Sequence, residues 1–491
     1  MSFARARPLI VSRFFVAVAS AVLPLVLARR FSPADYGTYK QLFLVAQTLF
    51  YVLQLGVPQS LYYFVPRTAH RRPYLVHALV FLAGAGVLAA AALVWQAPRV
   101  AGWMHNPELA RHAPALAVYL FGTLCSVPLE ISLTASGRTR AASAFYAGSE
   151  LLRAAAMTLP AVLGWGVQGV MAGVAGWALL RAAVTWAVVP RGTSGPWLAR
   201  EGLWEQLRYA LPFGAAIAVG LPQGYFHQYF VAAHEAPAAF AVYSVGLFQV
   251  PFVDLLYSPT SEVLMVSLGE LDREGRLAER AGVFRGAVAR LAYAFVPLAV
   301  FLGVAAPSFI SALFTEKYLA AVPIFRVGVA SVLLAALPLE GVLRARGETW
   351  HILAASALKA VVNVPAVVVG VWRFGLVGAV GAWLASEVVG KAALLWRVPR
   401  ALGAPLRRLM PWAELGRAAF ASLAGAAAAW AAQAAFAGLR PIAVLVLGAA
   451  LFGVAYALAL LAVGARLPFE MVGLGRLAPR PVLAPTKTAG P

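Results

Sequence analysis

The feature that most constrains this chain is the recurrence of apolar runs, each about 20 residues or longer, separated by short polar breaks. A membrane-spanning helix needs about 20 mostly apolar residues at a rise of ~1.5 Å each. On that ruler the runs fall near 9–29, 37–64, 75–97, 113–135, 141–163, 168–190, 207–231 and 238–266. Six more follow near 285–312, 321–343, 350–372, 375–397, 414–437 and 441–465, about fourteen in all. Lipid offers the backbone no hydrogen bonds, so only helices and closed barrels cross it. Runs this long exceed the roughly 9–11 residues of a barrel strand. The composition agrees: 62% of residues are hydrophobic and 12% charged, against about 45–50% and 25% in soluble domains. The expectation is an all-α polytopic membrane protein.

The net charge is +21. In a soluble chain that excess would suggest nucleic acid, but here the basic residues gather in alternate loops. Arg67/Arg71/Arg72, Arg273/Arg276/Arg280/Arg285/Arg290 and Arg397/Arg400/Arg407/Arg408 are counted with the even-numbered loops, and both tails are basic as well. The intervening loops carry few. Cytoplasmic loops concentrate Arg and Lys, so both termini are placed in the cytoplasm and no nucleic-acid partner is expected. Arg5 and Arg7 ahead of an apolar run that contains Ala19-Ser20-Ala21 have the outline of a cleavable signal. The run continues to Ala28, which makes it a retained first helix. The one cysteine, Cys125, lies inside an apolar run, leaving nothing from which to build a disulfide or a thiolate metal site. No cofactor and no metal are expected.

The stretch "RRFSPADYGTYKQLF", residues 29–43, is written as a helix start. Ser32 suits the N-cap, Pro33 the first helical position and Asp35 the third, a short capping box. Phe31 and Tyr36 have the spacing of a hydrophobic staple. A shift of 204 positions lays Pro33-Ala34-Asp35-Tyr36-Gly37-Thr38-Tyr39 over Pro237-Ala238-Ala239-Phe240-Ala241-Val242-Tyr243. Six spans separate the copies, and an even period keeps both in one orientation, the parallel-repeat arrangement. The expected organisation is a six-helix bundle over 1–190, a cytoplasmic linker over 191–206 and a second six-helix bundle over 207–398. An appended helix pair over 399–465 and a tail over 466–491 complete it. The tail's "RPVLAPTKTAGP" is polar and Pro-rich, a composition expected to be disordered.

With these residues in view, "LARRFSPADYGTYKQLFLVAQTLFYVLQLGVPQSLYYFVPR" resembles the N-terminal signature of polysaccharide-biosynthesis flippases. These are Wzx-type oligosaccharide exporters of the multidrug/oligosaccharidyl-lipid/polysaccharide (MOP) superfamily. The likeness rests on Ser32-Pro33, Asp35-Tyr36-Gly37 and Leu55-Gly56-Val57-Pro58, and on the echo ending in Val242-Tyr243-Ser244-Val245. The resemblance implies a MATE-like fold of two lobes around a cleft that opens alternately to each side. It also implies an undecaprenyl-diphosphate-linked glycan as cargo, the bacterial inner membrane as location, and a polysaccharide polymerase with chain-length machinery as partners. One departure stands out. Many relatives carry an acid–base pair near the outer end of the seventh span, where this chain has Gly224-Tyr225-Phe226-His227-Gln228.

Charged groups inside spans are expensive and usually face a cavity, unless they lie near an end and snorkel. Arg13 is about one turn from an edge and fits either description. Glu130, Glu262, Arg326 and Glu340 lie near edges and are read as snorkelling. Glu150 and Arg153 are three apart, and Glu387 and Lys391 four apart, so each pair sits on one helix face. Each is either an internal bridge or a gating or substrate contact. Arg181, Asp254 and Lys359 have no local partner. Cations suit a diphosphate, so Arg13, Arg153, Arg181 and Lys359 are the candidates for its path. Gln54, Gln223, His227 and Gln249 suit sugars or serve as helix–helix glue. Asp254 is the better candidate for proton or cation coupling.

Three functions compete. A flippase for anionic lipid-linked oligosaccharide fits the mid-depth cations. A MATE-like exporter of drugs or cations on the same fold would favour an acidic cavity. A membrane glycan polymerase or ligase generally needs carboxylates or a domain on an outward loop, and the largest such loop offers only Glu108 with His105 and His112. The reading adopted is a transporter, not an enzyme.

Overall fold

The computed structural model describes residues 22–68, 70–191, 193–197 and 200–465. Arg13 and the tail over 466–491 lie outside them. The described residues form helices and turns with no strand.

A helix over residues 22–30 (α1) leads into α2 (Pro33–Leu53). The junction is built from its own side chains. Ser32 Oγ accepts the Asp35 N–H at 3.1 Å, and the Ser32 hydroxyl donates to Asp35 Oδ2 at 2.7 Å. One of the four unpaired N–H groups of a helix start is thereby satisfied. Phe31 and Tyr36 are both buried. The break that follows α2 explains the next motif. Leu55 and Gly56 adopt φ of 44° and 73°, a region glycine enters without steric cost. α3 (Val57–Phe64) then leaves at 43° to α2, with Pro58 in its first turn, where a missing N–H costs nothing.

The chain divides into two compact units, 1–251 with 360–383, and 252–359 with 384–491. The first contains α1–α3 together with α4 (Arg72–Trp103), α5 (Glu108–Ala135), α6 (Thr139–Val162), α7 (Gly166–Val188), α8 (Arg200–His234) and α9 (Pro237–Gly246). α5 packs between α4 and α7. Gly122 lets it approach α7 so closely that a Cβ there would stand 2.6 Å from the Ala178 carbonyl carbon. Small residues of this kind allow close helix approach in membranes. α2 and α9 pack through their opening turns, with Gly37 against the Pro237 carbonyl. The two copies of the repeated motif therefore touch each other. The segment 193–197 is fastened to α4: the Arg72 guanidinium donates to Thr193 O and Gly195 O and lies 5.3 Å from the Trp197 ring.

The second unit contains α10 (Phe252–Arg273), α11 (Arg280–Phe314), α12 (Val322–Val329), α13 (Ser331–Leu334), α14 (Leu339–Ala345), α16 (Leu406–Leu409), α17 (Trp412–Ala435) and α18 (Pro441–Ala462). Leu264, Leu268, Phe284, Leu339, Val342 and Val398 belong to one apolar core. α17 and α18 pack on each other and on α11, and Gln433 Nε2 donates to Val304 O at 2.8 Å. The long segment α15 (Thr349–Leu402) reverses at Gly375, whose φ/ψ of 58°/−140° no helix contains. Gly370 lies close against Gly378 across the reversal. The tip of α15, 360–383, groups with the first unit and its stems with the second.

A helix or broken helix occupies every expected span position from the second to the last. Among the described residues, eight helices are long and apolar enough to cross a membrane, or nine if the bent α2–α3 pair counts as one span. That total counts α15 once although it reverses at Gly375. Exposed apolar residues such as Leu88, Trp95, Val361 and Trp372 would be liabilities in water, but suit a hydrocarbon surround. The chain is an all-helical, multi-pass membrane protein.

Candidate functional site

In the first unit α2, α5, α6 and α7 enclose a cavity of about 230 Å³. Its wall includes Gln47, Tyr51, Tyr119, Trp177, Glu150, Arg153 and Arg181. Glu150 and Arg153, one helical turn apart on α6, form the bridge their spacing predicts: Arg153 Nε and Nη2 reach Glu150 Oε2 at 2.8 and 2.7 Å. The other carboxylate oxygen, Oε1, receives Arg181 Nη1 from α7 at 3.3 Å. Arg181, expected to stand alone, is thus paired. Its partner lies 31 residues away on a neighbouring helix, beyond the reach of a search along one helix. Glu130 Oε2 of α5 lies 3.8 Å from Arg181 Nη2, so this residue, read as a snorkelling edge group, joins the cluster.

Both guanidinium groups lie against Trp177, at 6.0 Å for Arg153 and 5.4 Å for Arg181. Trp177 is itself fixed by an indole hydrogen bond to Ser149 O at 2.8 Å. Two cations therefore face two carboxylates. The compensation is incomplete in hydrogen-bonding terms, because Arg181 Nε is buried without a partner among the described residues. A buried donor left unpaired costs about 1–3 kcal/mol. A ligand oxygen or a water would recover it.

The second unit holds another charged group, and its pairing corrects the sequence expectation. Glu387 and Lys391 share a helix face but do not pair with each other. Lys359 donates to Glu387 Oε1 at 2.6 Å across the two stems of α15. Lys391 reaches both oxygens of Glu340 on α14, at 3.1 and 3.0 Å, and Leu337 O at 3.1 Å. Tyr257 of α10 also donates to Glu340, at 2.8 Å. The reversal at Gly375 and the packing of α14 bring in carboxylates closer than the local one. Lys359 is consequently neutralised, and Glu340 is a bridging residue rather than an edge group.

The polar candidates separate. Buried His227 shares a 2.6 Å hydrogen bond with the Tyr243 hydroxyl and packs 5.6 Å from the Trp383 ring. Gln54 folds back onto Phe50 O at 3.0 Å. Gln223 accepts from Asn363 Nδ2 through its backbone carbonyl at 3.0 Å, while its side-chain Nε2 is buried and unpaired among the described residues. Gln249 and Asp254 are exposed. The structure gathers Glu150, Arg153 and Arg181 at one cavity, and Lys359, Glu387, Lys391 and Glu340 in a separate group. It does not bring Gln54, His227, Gln249 or Asp254 into either ion-pair network.

Comparison with known proteins agrees with this architecture. The family described as Polysaccharide biosynthesis protein matches residues 26–323, more than half of the chain. No curated protein sequence gives a match. Among solved structures, the lipid II flippase MurJ in an inward closed conformation superposes with a TM-score of 0.75 at 10% identity. That match covers 96% of this chain and 100% of MurJ. An inward-facing multidrug-resistance MATE transporter of the MOP superfamily gives 0.63 at 16% identity, over 80% of this chain and 96% of its own. A MOP superfamily transporter from Pyrococcus furiosus gives 0.50 at 13% identity, over 82% and 96% respectively. At these identities the likeness is one of fold.

Proposed function

The chain belongs to the Polysaccharide biosynthesis protein family, and we propose that it is an alternating-access flippase for an anionic lipid-linked oligosaccharide. The carrier class is undecaprenyl diphosphate, and the setting is the bacterial inner membrane with both termini cytoplasmic. The observation that carries this reading is the Arg153–Glu150–Arg181 cavity with its unpaired Arg181 donor. Arg presents planar, paired donors that match phosphate oxygens. Tyr51, Tyr119 and Trp177 line the same wall and suit the mixed apolar and polar faces of a sugar.

In this reading the chain works as two bundles, 1–190 and 207–398, with 399–465 appended and 191–206 joining them. Rocking of the bundles moves the headgroup outward while the lipid tail stays in the bilayer. A polysaccharide polymerase and chain-length machinery receive the product. The second reading, a MATE-like drug or cation exporter, is supported by the shared fold, but the unpaired Arg181 N–H calls for an acceptor, which a cationic cargo does not supply. Thermal stabilisation of the purified protein separates the two. An undecaprenyl-diphosphate-linked oligosaccharide is expected to raise the melting temperature and ethidium to leave it unchanged. The reverse result would establish the exporter instead.

A further inference from the structure

The arginine cavity does not account for every cation near its wall. Lys40 lies on α2 and is half-buried, and among the described residues no carboxylate comes within ion-pair distance of it. Its Nζ stands 5.5 Å from the Tyr36 ring centroid and 6.0 Å from that of Tyr39. Residues 1–21, which precede the described part, contain no Asp or Glu. Arg153, Arg181, Lys359 and Lys391 all have carboxylate partners, so Lys40 differs in kind.

Helix geometry ties Lys40 to the cavity. Positions 40, 47 and 51 fall on one stripe of a 3.6-residue helix, and Gln47 and Tyr51 both line the cavity. Lys40 therefore stands two turns, about 10 Å, from Gln47 toward the Ser32 end. Ring packing traces the same course. Tyr39 meets Phe43 at 4.7 Å, Phe43 meets Tyr119 at 5.4 Å and Tyr119 meets Trp177 at 6.3 Å, where both arginines lie. Aromatic faces join the three cations without interruption.

We infer that Lys40 is a second anion-binding station, taking the phosphate oxygens of a diphosphate headgroup after or before the arginine cavity holds them. The inference rests on the function proposed above. An ammonium with no carboxylate partner among the described residues need not exchange one before it binds, whereas each arginine must loosen its hold on Glu150 or Glu130. A cation between aromatic rings is attracted to their faces and keeps its charge available to an incoming anion.

The test titrates inorganic pyrophosphate and farnesyl diphosphate into the purified full-length protein in detergent micelles, by calorimetry. Lys40→Met is expected to weaken binding about tenfold, and Lys40→Arg to stay within about threefold of wild type. Lys40→Gln carries the same test if Lys40→Met is not recovered folded. Weakening with both probes supports a station for the phosphate group itself. Weakening with farnesyl diphosphate alone supports a station for a lipid headgroup. Wild-type affinity in Lys40→Met and Lys40→Gln for both probes overturns the station and leaves the flippase proposal standing. Failure of the wild type to bind either diphosphate overturns both.

Discussion

Replacing Glu150 by Gln tests whether its carboxylate is a stand-in for the cargo. Glu150 holds Arg153 with one oxygen and Arg181 with the other, at 2.7–3.3 Å. At charge separations of about 4 Å and an effective dielectric near 20, each pair is worth roughly 4 kcal/mol before desolvation is counted. Neutralising the carboxylate also removes its own desolvation cost, and Glu130 remains 3.8 Å from Arg181. Breaking a buried pair on one side typically costs 3–5 kcal/mol. With one carboxylate kept and a cavity that admits water, a loss of about 2–3 kcal/mol is expected for Glu150→Gln. The two guanidinium groups, freed from their internal anion, should bind an external one more tightly. Recovering half to all of the lost interaction corresponds to an affinity gain of roughly ten- to hundredfold at 1.4 kcal/mol per decade. The assay is a thermal melt of wild type and Glu150→Gln with increasing inorganic pyrophosphate. The variant should melt lower without the anion and be raised more steeply by it. A variant that melts lower and gains nothing from pyrophosphate would make Glu150 only a structural bridge, not a stand-in for the cargo.

Gly37→Val is expected to destabilise the protein by about 1–3 kcal/mol, because the new side chain meets the Pro237 backbone carbonyl, which no rotamer change can move; Gly37→Ala should cost less in the same thermal melt. The Lys359–Glu387 pair, 2.6 Å apart and about a quarter exposed on each side, should show a coupling of roughly 0.5–3 kcal/mol in a double-mutant cycle of Lys359→Met and Glu387→Gln. Glu348, outside the helices, is held below the ordinary carboxylate range by hydrogen bonds from Arg397. A depressed folded value means that its stabilisation is fully present above the unfolded value of about 4.3 and fades as pH falls through the folded one. Glu348→Gln should therefore flatten the fall in melting temperature on acidification below about pH 4.3.

What was legible in the sequence is what depends on local order. Ser32, Pro33 and Asp35 announce a capped helix through spacing alone, and the bond between Ser32 and Asp35 follows. The Glu150–Arg153 bridge was equally readable, since both partners share one turn. Pairings between helices were not. Arg181 finds Glu150 on another helix, and Lys391 prefers Glu340 on α14 to Glu387 on its own helix. Edge position misled for Glu130 and Glu340, because distance along a helix says nothing about what the neighbouring helix presents. Lys40 is a different case. It has a local signal, a lysine inside a span with no acid one turn further on, but it stands within a helix-start pattern that already accounts for its neighbours. That the two repeat copies touch, Gly37 on Pro237, follows from tertiary packing and has no local signature.

Flippase activity is measured most directly by reconstituting the protein in liposomes with an undecaprenyl-diphosphate-linked oligosaccharide and following how much becomes accessible to a membrane-impermeant glycan-modifying reagent. Protein-dependent exposure is expected in the wild type, and its loss in the Arg153→Met/Arg181→Met double variant. No movement of the lipid-linked glycan by folded wild-type protein under any imposed ion gradient or potential would contradict the flippase proposal.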